Sequence, residues 1–110
     1  MVSGRYSLDL YYAEDVVRRL GGFWVSRRDG LVIVKVRVDG RTAIVWFRSS
    51  PITEKALKLF VKMSSKHRFD IAYVVRPEPI ADYVGFDEIE KAGLKIVLLE
   101  ELLNIIRQKS

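Results

Sequence analysis

Leu31-Val32-Ile33-Val34-Lys35-Val36-Arg37-Val38-Asp39-Gly40-Arg41-Thr42-Ala43-Ile44-Val45-Trp46-Phe47-Arg48 reads as two β-strands joined by a two-residue turn. Asp-Gly between β-branched runs is the strongest short-range hairpin signal, because the tight turn needs left-handed backbone that these residues adopt cheaply. The first strand alternates, with Val32, Val34, Val36 and Val38 on one face and Ile33, Lys35 and Arg37 on the other. A second Asp-Gly in Arg28-Asp29-Gly30-Leu31 adds a strand before it, so residues 23–48 predict an antiparallel three-stranded meander. Two-residue turns fix register. Val36 is expected opposite Ala43 and Phe23, Val34 opposite Val45 and Val25, and Val32 opposite Phe47, which makes that face core. The other face gathers Trp24, Ser26 and Arg28, then Ile33, Lys35 and Arg37, then Thr42, Ile44, Trp46 and Arg48. It is mixed, cationic and aromatic.

Outward from the meander, Tyr12, Val16 and Leu20 recur at helical spacing, so a helix is expected from about Ser7 to Leu20, stopped by Gly21-Gly22. On the other side Ser50-Pro51 predicts a helix start, with Ser50 as cap and Pro51 at the first helical position. That helix is expected to run to about Ser65 with Ile52, Ala56, Leu59, Phe60 and Met63 buried. Lys55, Lys58, Lys62 and Lys66 form a separate row at helical spacing. Asp70 to Arg76 reads as a short buried strand, parallel to the third and closed by Pro77-Glu78-Pro79. A short helix from Phe86 to Ala92 ending at Gly93, a strand from Leu94 to Leu98 and a terminal helix from Glu100 to about Arg107 complete the chain. The predicted class is α/β, a mixed central sheet of meander plus parallel strands flanked by helices.

Its 110 residues suit one domain, 1–110. With 49% hydrophobic and 30% charged residues the chain has a globular rather than a disordered composition. No apolar run approaches the roughly 20 residues that span a bilayer, so no membrane is expected as partner. The absence of cysteine excludes a disulfide framework and thiolate chemistry, and the expected compartment is the cytoplasm. Asn104 and Gln108 are the only side-chain amides, a scarcity associated with hot environments. The net charge of +5 is unevenly spread: residues 1–76 carry 15 Lys/Arg against 7 Asp/Glu, and residues 77–110 carry 4 against 7. A basic body with an acidic end suits a polyanion on one side of the molecule, or else the charged surface of a thermophile.

Little else carries chemistry. His67, the only histidine, has no Cys or second His to make a zinc site. Asp29 and Asp39 each suit the first position of a tight hairpin turn. Gly21-Gly22 follows a helix and lacks the Gly-Lys-Ser/Thr ending of a phosphate loop.

The element order and three stretches carry a family resemblance: the opening helix ending in Leu20-Gly21-Gly22, the strand Thr42–Ser49 leading into a helix, and the closing Gly93-Leu94-Lys95-Ile96-Val97-Leu98-Leu99-Glu100-Glu101-Leu102-Leu103. Over roughly residues 10–107 the chain resembles the restriction-endonuclease-like PD-(D/E)XK nucleases, above all the archaeal Holliday-junction resolvases and the Mrr-type domains. In that family a helix Glu, a second-strand Asp and a third-strand Glu-x-Lys assemble a Mg²⁺ site, hard oxygen ligands holding the ion while the amine serves the attacking water. The resemblance places Glu14 at the helix Glu and Asp29 at the strand-two Asp. It sets Trp46 at the Glu position and Arg48 at the Lys position. No Glu-x-Lys or Asp-x-Lys occurs anywhere in the chain. Indole cannot ligate Mg²⁺, and guanidinium is too basic to exchange protons near neutrality. The resemblance thus implies an archaeal protein with a nuclease shape, without catalysis and without a metal or other cofactor, and the amide scarcity adds a thermophilic source.

Two functions follow as expectations. One is a non-catalytic nucleic-acid-binding domain, DNA ahead of RNA. In it Lys35, Arg37, Arg48 and the row Lys55, Lys58, Lys62 meet phosphates, while Trp46 or Trp24 stacks a base. The other is a protein–protein module, such as a homodimer or the inactive partner of a catalytic subunit. Whichever function holds, the bland alternative for the sheet face is that Trp24 and Trp46 lie buried under the first helix and the cations only edge the sheet.

Overall fold

The strands on either side of Gly30 and of Gly40 are antiparallel neighbours in the computed structural model, which describes residues 4–28, 30–38, 40–77 and 81–109. The chain runs α1 (Gly4–Leu20), β1 (Phe23–Arg28), β2 (Leu31–Val38), β3 (Arg41–Phe47), α2 (Glu54–Ser64), β4 (Ile71–Arg76), α3 (Phe86–Lys91), β5 (Leu94–Leu98) and α4 (Leu99–Lys109). All strands join one five-stranded sheet in the order β1-β2-β3-β4-β5. The β1–β2 and β2–β3 pairs are antiparallel, and β3–β4 and β4–β5 are parallel. The expected α/β architecture with a mixed sheet is therefore present.

Each face of the sheet has its own core. Val32, Val34, Val36, Ala43, Val45 and Phe47 meet Ala13 and Val16 of α1 and Leu102 of α4. Ile33, Ile44, Trp46, Ala72 and Val74 meet Ala56, Leu57 and Phe60 of α2 and Ile89 of α3. Gly22 lets the chain pass from α1 into β1 close against the sheet: a Cβ there would lie 2.6 Å from Val36 Cγ1 and 2.9 Å from Val34 Cγ1.

The register between β2 and β3 is the expected one, with Val32 opposite Phe47, Val34 opposite Val45 and Val36 opposite Ala43. The register of β1 differs from expectation. A β-bulge between Trp24 and Ser26 inserts Val25 as an extra residue, so Trp24 stands opposite Val34 and Phe23 opposite Lys35. One residue of slip exchanges faces. Trp24 therefore packs on the α1 side, with Arg27 4.5 Å over its ring, and Val25 packs with the α2-side core.

The helix after β3 also starts later than Ser50-Pro51 suggests. Its cap is Thr53, whose hydroxyl accepts the Ala56 amide at 3.1 Å, and Glu54 sits in the first turn where the helix dipole favours an acid. Pro51 lies outside the helix. The buried stripe is Ala56, Leu57, Phe60 and Ser64, whereas Leu59 is exposed and Met63 only partly covered.

Candidate nucleic-acid interface

Trp46 in β3 and Arg48 just beyond its end are both drawn inward by tertiary packing. Trp46 is fully buried, its ring stacked on Phe60 at 4.8 Å between centroids and 9° between planes. Its Nε1–H donates to the Gly30 carbonyl at 2.9 Å. Arg48 is 8% exposed and donates from Nη1 to the same carbonyl at 3.0 Å. From Nε and Nη2 it donates to the Pro51 carbonyl at 3.3 and 2.8 Å. Together the two side chains tie the β1–β2 turn to the β3–α2 connection. Trp46 has no surface with which to stack a base, and Arg48 is engaged inside the fold, so neither joins an exposed cationic face. Burial of Trp46 comes from α2; α1 covers the other face.

Glu14 lies on α1, on the far side of the sheet from Trp46, and pairs with Arg27 at 3.3 Å. Asp29 lies outside the described residues. The positions where the resemblance would gather a metal site are thus not brought together: Glu14 faces β1, while Trp46 and Arg48 pack under α2. Among the described residues no group of three or more His, Cys, Asp or Glu is placed to hold a metal ion.

Lys55, Lys58 and Lys62 are exposed on the outer face of α2. They keep the predicted spacing and line an open groove together with Glu54 and Leu59. Glu54 pairs with Lys58 at 3.2 Å, a solvent-exposed i,i+4 contact that leaves the lysine accessible. Lys35 and Arg37 lie on the α2 side of the sheet, Lys35 half-buried opposite Ile44 and Arg37 exposed opposite Thr42. Arg37 Nη2 donates to the Gly40 carbonyl at 3.2 Å. Of the expected phosphate-contacting residues, those that remain on the surface, Lys35, Arg37, Lys55, Lys58 and Lys62, share the α2 side, while Arg18 and Arg19 are exposed on α1. A cleft of about 780 Å³ lies between α3 and the starts of β4 and β5. Its Asp70, Asp87 and Glu90 outnumber Lys91 and Lys95, the wrong balance for a polyanion.

One buried polar pair leaves no signature in the sequence. Arg76 at the end of β4 donates from Nη2 to Asp82 Oδ1, and both side chains are almost fully enclosed. The same carboxylate oxygen accepts the Ile52 amide at 2.7 Å, and the Tyr83 amide donates to the Ile52 carbonyl at 3.0 Å. These bonds zip the segment after β4 to the approach to α2. Arg and Asp six residues apart in sequence carry no local pattern, so only tertiary structure reveals them. No helix among the described residues is long and apolar enough to cross a membrane. Comparison with protein-family models, with curated proteins and with solved structures finds no match to the chain.

Proposed function

We propose that the protein is a non-catalytic nucleic-acid-binding domain on a restriction-endonuclease-like scaffold, taking DNA ahead of RNA. The observation that carries this reading is the exposed row Lys55, Lys58, Lys62 on α2, on the same side of the sheet as Lys35 and Arg37. Such a row meets phosphates regardless of sequence and releases counterions as it does so. The enclosed Trp46 and Arg48, at the positions where the resemblance sets Glu-x-Lys, support binding without cleavage. The deciding experiment titrates labelled DNA with the protein across a salt series. A steep negative slope of log affinity against log salt supports the reading, and no retention at low salt ends it.

A second reading, a protein-interaction module, draws on Tyr83 and Phe86. These aromatics are 79% and 61% exposed at the start of α3, in acidic surroundings with Asp87 and Glu88. Interfaces favour exposed aromatic anchors. Retention of a protein partner that survives high salt, with no DNA binding, would select it.

A further inference from the structure

The bulge at Val25 decides where Phe23 points. In an unbroken hairpin Phe23 would stand opposite Val36, on the face that α1 covers. The extra residue turns it over, opposite Lys35 and onto the α2 side, where it is 73% exposed. A phenyl ring in that position forfeits most of the transfer free energy that burial returns. Bulges recur beside functional sites because they re-aim a side chain in this way.

The described charged residues lining the groove at Phe23 carry one sign of charge. Lys35 is its cross-strand partner, and Arg37 follows on the same face. With Leu20, Gly21 and Thr42 these residues line a groove of about 350 Å³, within the size range of small-ligand sites. No described carboxylate lines it. The nearby Asp70 accepts the Thr42 amide at 2.7 Å and so is already engaged. The tie from Arg37 to the Gly40 carbonyl steadies its guanidinium beside the groove.

We infer that this groove is a stacking platform for a base of single-stranded nucleic acid, Phe23 taking the base face while Lys35 and Arg37 meet the flanking phosphates. The inference rests on the nucleic-acid reading above and adds the form of the polymer. A duplex keeps its base faces inside its own stack, whereas an unpaired base offers one to an aromatic ring. Such stacking tolerates any sequence because every base has a π-face.

The test compares labelled oligothymidylate with a labelled mixed-sequence duplex, binding the full chain at low salt and read by fluorescence anisotropy. Phe23→Ala is expected to weaken oligothymidylate binding about 5- to 150-fold and to leave duplex binding unchanged, while Phe23→Tyr binds like wild type. Phe23→Trp retains affinity, and saturation with oligothymidylate quenches its indole emission by more than that of the wild type, which has only Trp24 and Trp46. Oligothymidylate affinity untouched by Phe23→Ala, equal losses on both polymers, or a Phe23→Trp quenched no more than the wild type overturns the platform. The nucleic-acid reading survives any of these as long as Lys58→Glu with Lys62→Glu still weakens binding. A wild type that retains neither polymer overturns both.

Discussion

Arg76 and Asp82 form an ion pair sealed inside the fold, with the Asp82 carboxylate also holding the Ile52 amide. Two further nitrogens of Arg76, Nε and Nη1, are buried without a hydrogen-bond partner among the described residues. Among the described residues, Asp82 is the carboxylate paired with the guanidinium. Breaking such a pair from one side strands a charge in low dielectric and typically costs about 3–5 kcal/mol, whereas replacing both partners with apolar residues is often neutral. Asp82→Ala is therefore expected to lower unfolding free energy by about 3–5 kcal/mol, and Arg76→Met with Asp82→Leu to restore most of it. Urea denaturation checks both. A loss no larger than that of a surface substitution would show that Asp82→Ala strands no buried charge.

Trp46 separates packing from hydrogen bonding. Trp46→Phe keeps an aromatic ring against Phe60 but removes the Nε1–H bond to Gly30 and leaves a void where the indole was wider. The missing hydrogen bond costs about 1 kcal/mol. Trp46→Ala opens a cavity in the α2-side core and is expected to cost about 3–5 kcal/mol. Denaturant midpoints rank the two variants. Equal losses would mean that the stack with Phe60 contributes little.

The cationic surface divides into two testable parts. Lys58→Glu with Lys62→Glu removes charges on α2, and Arg37→Glu removes one on the sheet. For every phosphate that no longer meets a cation, binding should weaken similarly across sequences and the salt slope should fall by about 1. Affinity that ignores both changes at low salt would shift the assignment to the interaction module.

With Mg²⁺ or Mn²⁺ the isolated protein is expected to leave nucleic acid intact. Trp46→Glu with Arg48→Lys, which writes Glu-x-Lys into the chain, is expected to destabilise it without creating cleavage. Glu14 lies across the sheet, and the new carboxylate would enter an apolar core. Gel assays of plasmid and branched DNA read this directly. Metal-dependent cleavage by pure wild-type protein that vanishes in Asp29→Ala would overturn it.

Much of this architecture is written locally. The Asp-Gly pairs and the valine alternation of residues 32–38 suffice for the β2–β3 register, because turn length and a buried face leave one solution. Phe23-Trp24-Val25-Ser26 carries no such constraint. Every residue there tolerates either face of a strand, so the bulge, and with it the exchange of Trp24 and Phe23, is set by packing against α1 and α2. Ser50-Pro51 and Thr53-Glu54 are both plausible helix starts. The second prevails where Arg48 takes the Pro51 carbonyl and Asp82 takes the Ile52 amide. The lysine row is legible because solvent-facing helix spacing needs no partner. The fates of Trp46 and Arg48 are not, because both depend on where α2 and the Gly30 turn come to rest.

The two rims of the sheet are unlike each other, and this limits how copies of the chain can join. β1 ends the sheet with an irregular, bulged ladder and with Arg27 and Arg28 exposed along it, all features that discourage another strand from adding there. β5, at the other rim, is short and unbroken, with Lys95 as its one charged residue. Strand addition is thus less hindered at β5 than at β1, although its shortness and Lys95 discourage it as well. Association through the sheet would consume that rim in a symmetric pair, with only the bulged β1 rim left from which a filament could grow.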